Sequence, residues 1–160
     1  MKKQLKILFK IRAWLVFFMI VLALSGITAF PVEKELSWLL QFRNTMPLAL
    51  TSFLEKVYDG MKHTNISYPF LAYGYDWLAY AHIVFALLFI GPLKNPVQNI
   101  WVIHWAMIAC VGIIPLALIA GPVRGIPFYW RLIDCSFGVI GIIPLLRVRS
   151  LIITLKTLQR

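Results

Sequence analysis

Three ionisable side chains stand inside long apolar runs of this 160-residue sequence, namely His82, His104 and Asp134. Two more, Asp76 and Arg131, stand at the edges of such runs. Placing a charged side chain at the centre of a bilayer costs about 2.5–3.5 kcal/mol on the insertion scale. Ionisable residues in these places are therefore the first candidates for binding a cation, a proton or a polar headgroup.

The spacing of these residues predicts a polar pocket at one membrane level. Arg131 and Asp134 are three residues apart, so they can pair on one face of a helix. If the helices that carry them touch, His82 can donate a hydrogen bond to Asp134. We take His82, Asp134, Arg131 and Asp76 as the candidate pocket residues. A structural role remains open, because polar side chains also join helices to one another in lipid.

The two histidines also raise a haem or redox hypothesis, which their depths weaken. His82 is six residues from the start of its run, about 9 Å deep, and His104 is five residues from the opposite surface, about 7.5 Å deep. In an apolar core of about 30 Å the two levels differ by roughly 13 Å. One iron cannot take both ligands from a single copy, so we predict no cofactor. No metal site is predicted either, since Cys110 and Cys135 lie in apolar runs without a second cysteine nearby.

The composition determines the class of protein that must position these residues. Hydrophobic residues make up 61% of the chain and charged residues 14%, against about 45–50% and about 25% in soluble domains. A water-soluble chain of this length cannot bury so much apolar surface. The sequence therefore predicts an integral membrane protein.

Four apolar runs predict four transmembrane helices, which form a single all-α membrane domain, a four-transmembrane-helix bundle over residues 1–160. The predicted spans are about 13–30, 76–93, 99–120 and 130–146. Crossing a bilayer takes about 20 apolar residues in a helix, so the second and fourth spans are short. The first run could instead be a signal peptide, but it is long for that role and lacks a clean cleavage site.

Segment 32–75 has a different pattern from the spans. Leucine and aromatic residues recur at helical spacing, and Thr, Ser, Glu, Lys and Asp fill the other face, which predicts one or two amphipathic helices at the outer surface. Pro47 suits the first turn of the second of these, with Asn44 or Thr45 as its cap, and Gly60 is the predicted stop.

Basic residues predict the orientation in the membrane. The net charge is +10, and the Lys and Arg residues cluster beside the first run and in the tail 147–160. The positive-inside rule then puts both termini in the cytoplasm and segment 32–75 outside. Aromatic residues fall at both predicted membrane surfaces, with Trp14, Trp101 and Trp105 inside and Trp77, Tyr80, Tyr129 and Trp130 outside. The charge placement favours a lipid bilayer as the partner and excludes nucleic acid.

The fourth span also carries small residues on one face. Ser136, Gly138 and Gly141 allow another helix to pack closely there. This pattern predicts tight helix packing or self-association.

Two stretches of the sequence resemble uncharacterised small inner-membrane proteins of Bacteroidetes-type bacteria. They are Gly91-Pro92-Leu93-Lys94-Asn95-Pro96-Val97-Gln98-Asn99-Ile100-Trp101 and Pro127-Phe128-Tyr129-Trp130-Arg131-Leu132-Ile133-Asp134-Cys135-Ser136-Phe137-Gly138. The resemblance covers roughly residues 68–146. It implies a bacterial inner-membrane location and carries no activity or site residue with it.

The sequence leaves several functions open. The leading hypothesis is a non-enzymatic accessory, assembly or scaffold subunit with a protein partner or a second copy of itself. The alternative is a protein that handles a ligand, an ion or a proton at the His82–Asp134 level. A haem or redox protein is a weaker alternative.

Overall fold

The computed structural model describes residues 2–159, and over that range the chain is helical and contains no strand. The all-α prediction is therefore confirmed. Met1 and Arg160, the ends of the predicted membrane domain, lie outside the described residues. The helices are α1 (Lys2–Ala29), α2 (Val32–Leu39), α3 (Leu48–Ser67), α4 (Tyr73–Leu88), α5 (Ile90–Lys94), α6 (Ile100–Val123) and α7 (Phe128–Thr157).

Four helical stretches among the described residues are long and apolar enough to cross a membrane. Three of them are α1, α6 and α7. The fourth is the stretch Pro69–Lys94, which contains α4 and α5. The number of spans agrees with the prediction, and the chain is a multi-pass membrane protein. The helices extend beyond the predicted spans, because α1 includes the basic segment before residue 13 and α7 continues through most of the basic tail.

Proline determines where the second span breaks. The predicted span of about 76–93 ends within one residue of the helical stretch, which continues as α5 to Lys94. Pro92 has no N–H to donate to the carbonyl of Leu88, and its ring crowds that carbonyl. Helix α4 accordingly ends at Leu88, and α5 begins two residues later.

Segment 32–75 contains α2, a 3₁₀ turn over Leu40–Thr45, and α3. The amphipathic helices are present and Pro47 directly precedes α3. The predicted stop at Gly60 is wrong, since α3 continues to Ser67. A glycine inside a helix costs only about 1 kcal/mol, which other contacts offset. The helix ends where Tyr68 precedes Pro69, a position that disfavours the α conformation.

The predicted side-chain cap of α3 is also absent. No capping hydrogen bond from Asn44 or Thr45 is present at the start of the described helix. The Thr45 hydroxyl donates instead to the carbonyl of Phe42, at 2.7 Å. That bond keeps the hydroxyl within its own 3₁₀ turn.

The described chain divides into two compact units, and the prediction of one membrane domain stays a prediction. Unit 1 consists of residues 2–20 and 86–159, and unit 2 of residues 21–85.

In unit 1, α6 and α7 form an antiparallel hairpin. Gly125, with a φ of 68°, makes the turn between them, and this left-handed backbone favours glycine. Along the hairpin, Gly138 lies so close to the carbonyl of Cys110 that any β-carbon at this position would overlap it. The predicted close packing on the small face of the fourth span is therefore confirmed, and α6 is the helix that uses it.

In unit 2, the C-terminal part of α1 approaches α4 at Gly26. A β-carbon at this position would lie 2.6 Å from the carbonyl oxygen of Ala79 and 2.9 Å from Cβ of His82. Only glycine permits this approach. It places α1 directly against the turn of α4 that carries His82.

Candidate polar sites

Arg131 lies in the first turns of α7 within unit 1. Its aliphatic stem packs on Gly121 of α6, where an added β-carbon would lie 2.7 Å from Cγ of Arg131. Its guanidinium carbon lies 5.1 Å from the centre of the Phe128 ring. Its Nε atom is buried without a hydrogen-bond partner among the described residues. Gly121 therefore creates the space into which the arginine folds.

Asp134 lies one turn further along α7 and is half-buried. Six residues separate it from the start of the helix, which is about 9 Å along the axis. Within residues 2–159, no hydrogen bond or ion pair is formed by its carboxylate, and its pairing with Arg131 is absent. Helical side chains lean toward the N-terminus, so Arg131 reaches back to Phe128 and away from Asp134.

His82 lies in α4 within unit 2. Its Nδ1 is 2.8 Å from the carbonyl oxygen of Leu78, one turn earlier. Because a carbonyl only accepts, Nδ1 carries the proton in this contact and Nε2 is left as an acceptor. Nε2 has no hydrogen-bond partner within the described range 2–159. The predicted bond between His82 and Asp134 would join residues of two different units and stays a prediction.

Asp76, the fourth predicted pocket residue, lies in the first turn of α4. A carboxylate there is favourable, since the N-terminal end of a helix carries a partial positive charge. Asp76 also lines two neighbouring cavities of unit 2, of about 270 and about 400 Å³. It is the member of the predicted set that faces open space on both sides.

A hydrogen-bond network in unit 2 was not predicted from the sequence. The Asn65 amide donates to a carboxylate oxygen of Glu33 at 2.5 Å, and the Tyr75 hydroxyl donates to the carbonyl oxygen of Asn65 at 3.1 Å. These residues come from α3, α2 and α4. No spacing rule relates residues so far apart in sequence, so the pattern offered no signal for this contact.

A second set of contacts joins the basic segments of unit 1. Arg149 Nε donates to His104 Nε2 at 3.2 Å, and Arg12 Nε donates to the carbonyl oxygen of Leu93, also at 3.2 Å. The second contact satisfies a carbonyl at the C-terminal end of α5, where a cation is favourable. The Gln4 amide donates to the carbonyl of Leu158 at 2.7 Å. His104, which the sequence places about 7.5 Å deep in the third span, thus accepts a hydrogen bond from an arginine that the sequence did not identify as its partner.

Residues that could hold a metal ion do not assemble within the described chain, where no group of three or more His, Cys, Asp or Glu side chains occurs. Cys110 and Cys135 are free thiols, both half-buried. Unit 1 thus contains Arg131, Asp134 and the Arg149–His104 contact, and unit 2 contains His82, Asp76 and the Glu33 network.

Comparison with known proteins finds no relative of this chain. The chain matches no protein-family model, no curated protein and no solved structure.

Proposed function

We propose that the chain is a non-enzymatic accessory or scaffold subunit that binds another membrane protein through α7. The observation that carries the proposal is that polar side chains in the first turns of that helix lack hydrogen-bond partners. Asp134 has no hydrogen-bond partner among residues 2–159, and the Nε of Arg131 is buried without one. Asp134 is half-buried, so its carboxylate retains a surface that a neighbouring helix can reach, whereas the buried Nε of Arg131 is out of reach.

Lipid makes these unsatisfied groups costly. Hydrocarbon offers no hydrogen bonds, and ionisable side chains in membrane spans pair with one another or line a polar cavity. A partner helix with a hydrogen-bond donor opposite Asp134 would satisfy that carboxylate. Interhelical hydrogen bonds of this kind contribute about 0.6 kcal/mol on average and up to about 2 kcal/mol.

A second copy of the chain is one form that this partner can take. In a two-fold symmetric dimer each contact occurs twice with the roles exchanged. Arg131 of one copy would then meet Asp134 of the other, and the reverse. The two residues lie one turn apart on α7, about 4.5 Å along the axis, so in two copies inserted in the same direction this pairing requires Arg131 to turn from Phe128 toward the other copy.

The test is extraction of the tagged full chain from its native membrane in mild detergent, with native size and mass spectrometry of what co-migrates. We expect a stoichiometric complex. Asp134→Leu should release the partner while leaving the melting temperature of the remaining subunit within a few degrees. Asp59→Leu, which removes an exposed carboxylate of α3, is the matched control and should keep the complex. A solitary monomer from unmodified cells would contradict the proposal.

The second candidate function is the handling of a proton or an ion, and it rests on His82. Its Nδ1 is held by the carbonyl of Leu78, which leaves Nε2 as an acceptor inside a span, and an ionisable residue inside a span is a candidate for an ion or proton pathway. Reconstituted vesicles with a pH-sensitive dye would measure flux. We expect His82→Ala and Asp134→Asn each to abolish flux, with unchanged melting temperature. If both variants instead lose stability and no flux is seen, these residues are structural.

A haem role remains a weaker candidate. Its test is an absorbance spectrum of the purified chain from haem-supplied cells, where absence of the Soret band would exclude it.

We further propose a bacterial inner-membrane location with both termini in the cytoplasm. The support is the placement of basic charge, which favours the cytoplasmic side, and the resemblance to small inner-membrane proteins. Both basic ends and Lys94 would then lie on one side of the bilayer, with segment 32–75 on the other.

A further inference from the structure

Four exposed aromatic rings and one carboxylate of unit 2 enclose a shallow cavity of about 400 Å³. Its lining residues are Phe30, Tyr73, Asp76, Trp77 and Tyr80. The Tyr73 and Trp77 rings have centroids 5.8 Å apart and an interplanar angle of 80°, and the Trp77 and Tyr80 rings are 6.2 Å apart at 85°. Rings that meet at right angles form adjoining walls, so the three side chains of α4 make an aromatic box.

The chemistry of this aromatic box matches an organic ammonium ion. A cation over the face of Trp or Tyr is attracted by the ring quadrupole, and quaternary ammonium groups are recognised by aromatic cages. Asp76 adds a negative charge beside the rings. The residues that line the cavity include no Lys or Arg, so a cation for it must come from outside the box.

An adjoining cavity supplies the opposite charge. It shares Phe30 and Asp76 with the aromatic box and is also lined by Lys34. Lys34 is exposed and forms no ion pair within the described residues. Its neighbour Glu33 is already bound by the Asn65 amide. The Lys34 ammonium is thus available for an anion that lies close to the cation in the box.

Both cavities lie where spans end. Phe30 directly follows α1, and Tyr73 begins α4. Phospholipid headgroups occupy this level of a bilayer. We propose that unit 2 binds the headgroup of a zwitterionic phospholipid, with its ammonium group in the aromatic box against Asp76 and its phosphate at Lys34. This inference is independent of the partner proposed for α7.

The test uses the purified full chain in detergent and dihexanoylphosphatidylcholine below its micellar concentration as the probe, with binding measured by calorimetry. Trp77→Ala should weaken binding about two- to fivefold, which is the range that a cation–π contact at an exposed site provides. Asp76→Asn and Lys34→Gln should each weaken it several-fold. The control is Trp101→Ala, because the exposed fraction of Trp101, 56%, matches the 57% of Trp77. The Trp101→Ala variant should bind the lipid as tightly as the unmodified chain.

Two further probes separate the possible sources of binding. Dihexanoylphosphatidylglycerol, which has no ammonium group, should bind at least tenfold more weakly, and choline alone should also bind more weakly because it lacks the phosphate. Equal binding of phosphatidylglycerol would overturn the role of the aromatic box. Equal binding of choline would overturn the assignment to a lipid. Identical losses for Trp77→Ala and Trp101→Ala would show general interfacial contact and likewise overturn the proposal.

Discussion

Glycines of the α6–α7 hairpin differ in how closely the neighbouring helix approaches them. Gly138 lies against the Cys110 carbonyl, whereas an added β-carbon at Gly112 would have no neighbouring atom within 4 Å. Gly112 begins the stretch Gly-Ile-Ile-Pro-Leu, and Gly141 begins an identical one. Gly141 faces Cys110 Sγ, 3.3 Å from its would-be β-carbon. Identical residues therefore meet different surroundings, because helix rotation decides which face is packed.

This contrast predicts opposite signs for the same substitution. Gly138→Ala should lower the free energy of unfolding by about 1–3 kcal/mol, since overlap with the Cys110 carbonyl forces the helices apart. Gly112→Ala should raise it by about 0.5–1 kcal/mol, because alanine favours the helix and meets no obstacle. Thermal melting of both variants in the same detergent measures the difference. A stabilised Gly138→Ala variant would contradict the close approach.

At the scale of the elements, the Glu33–Asn65–Tyr75 network joins α2, α3 and α4. Asn65 is its centre, because it donates to Glu33 and accepts from Tyr75. Short surface helices gain their stability from such tertiary contacts rather than from propensity alone.

Substituting Asn65, the residue that bonds to both others, should lower the free energy of unfolding more than substituting Tyr75. Asn65→Ala leaves both Glu33 and the Tyr75 hydroxyl without partners and should destabilise the chain by about 1–3 kcal/mol. Tyr75→Phe removes one hydrogen bond and should cost about 0.5–1.5 kcal/mol. Hydrogen exchange of α3 would report both effects. Protection that stays the same in Asn65→Ala would exclude a structural role for the network.

At the scale of the whole chain, charge is divided very unevenly between the two units. Segments 1–20 and 86–160 carry twelve of the sixteen Lys and Arg residues and one of the six acidic residues. Segment 21–85 carries the remaining four basic and five acidic residues. The basic excess that orients a membrane protein thus lies almost wholly in the segments of unit 1.

The proposed orientation is tested by cysteine labelling in spheroplasts, after Cys110→Ser and Cys135→Ser. A membrane-impermeant maleimide should label Lys62→Cys and Arg124→Cys in intact spheroplasts. It should label Lys94→Cys and Thr157→Cys only after the membrane is permeabilised, since the positive-inside rule retains these positions in the cytoplasm. The reverse pattern would invert the topology.

The spans could be predicted from the sequence because apolar length is a property of each segment alone. The small face at Gly138 was also predictable, because the spacing of small residues is a property of that segment alone. The path of Arg131 was not, because it depends on the space that Gly121 leaves on another helix. The Arg149–His104 contact likewise depends on how α6 and α7 are rotated about their axes, which no local pattern specifies.

The contact between Gln4 and Leu158 has a consequence for biosynthesis. The two residues are 154 positions apart, and ribosomes add about 5–20 residues per second. Gln4, at the start of α1, therefore waits about 8 to 30 s before Leu158 has been made. Segment 21–85 is complete just after the midpoint of that interval. Unit 2 can thus finish folding while the N-terminal half of α1 is still exposed to the insertion machinery and to chaperones.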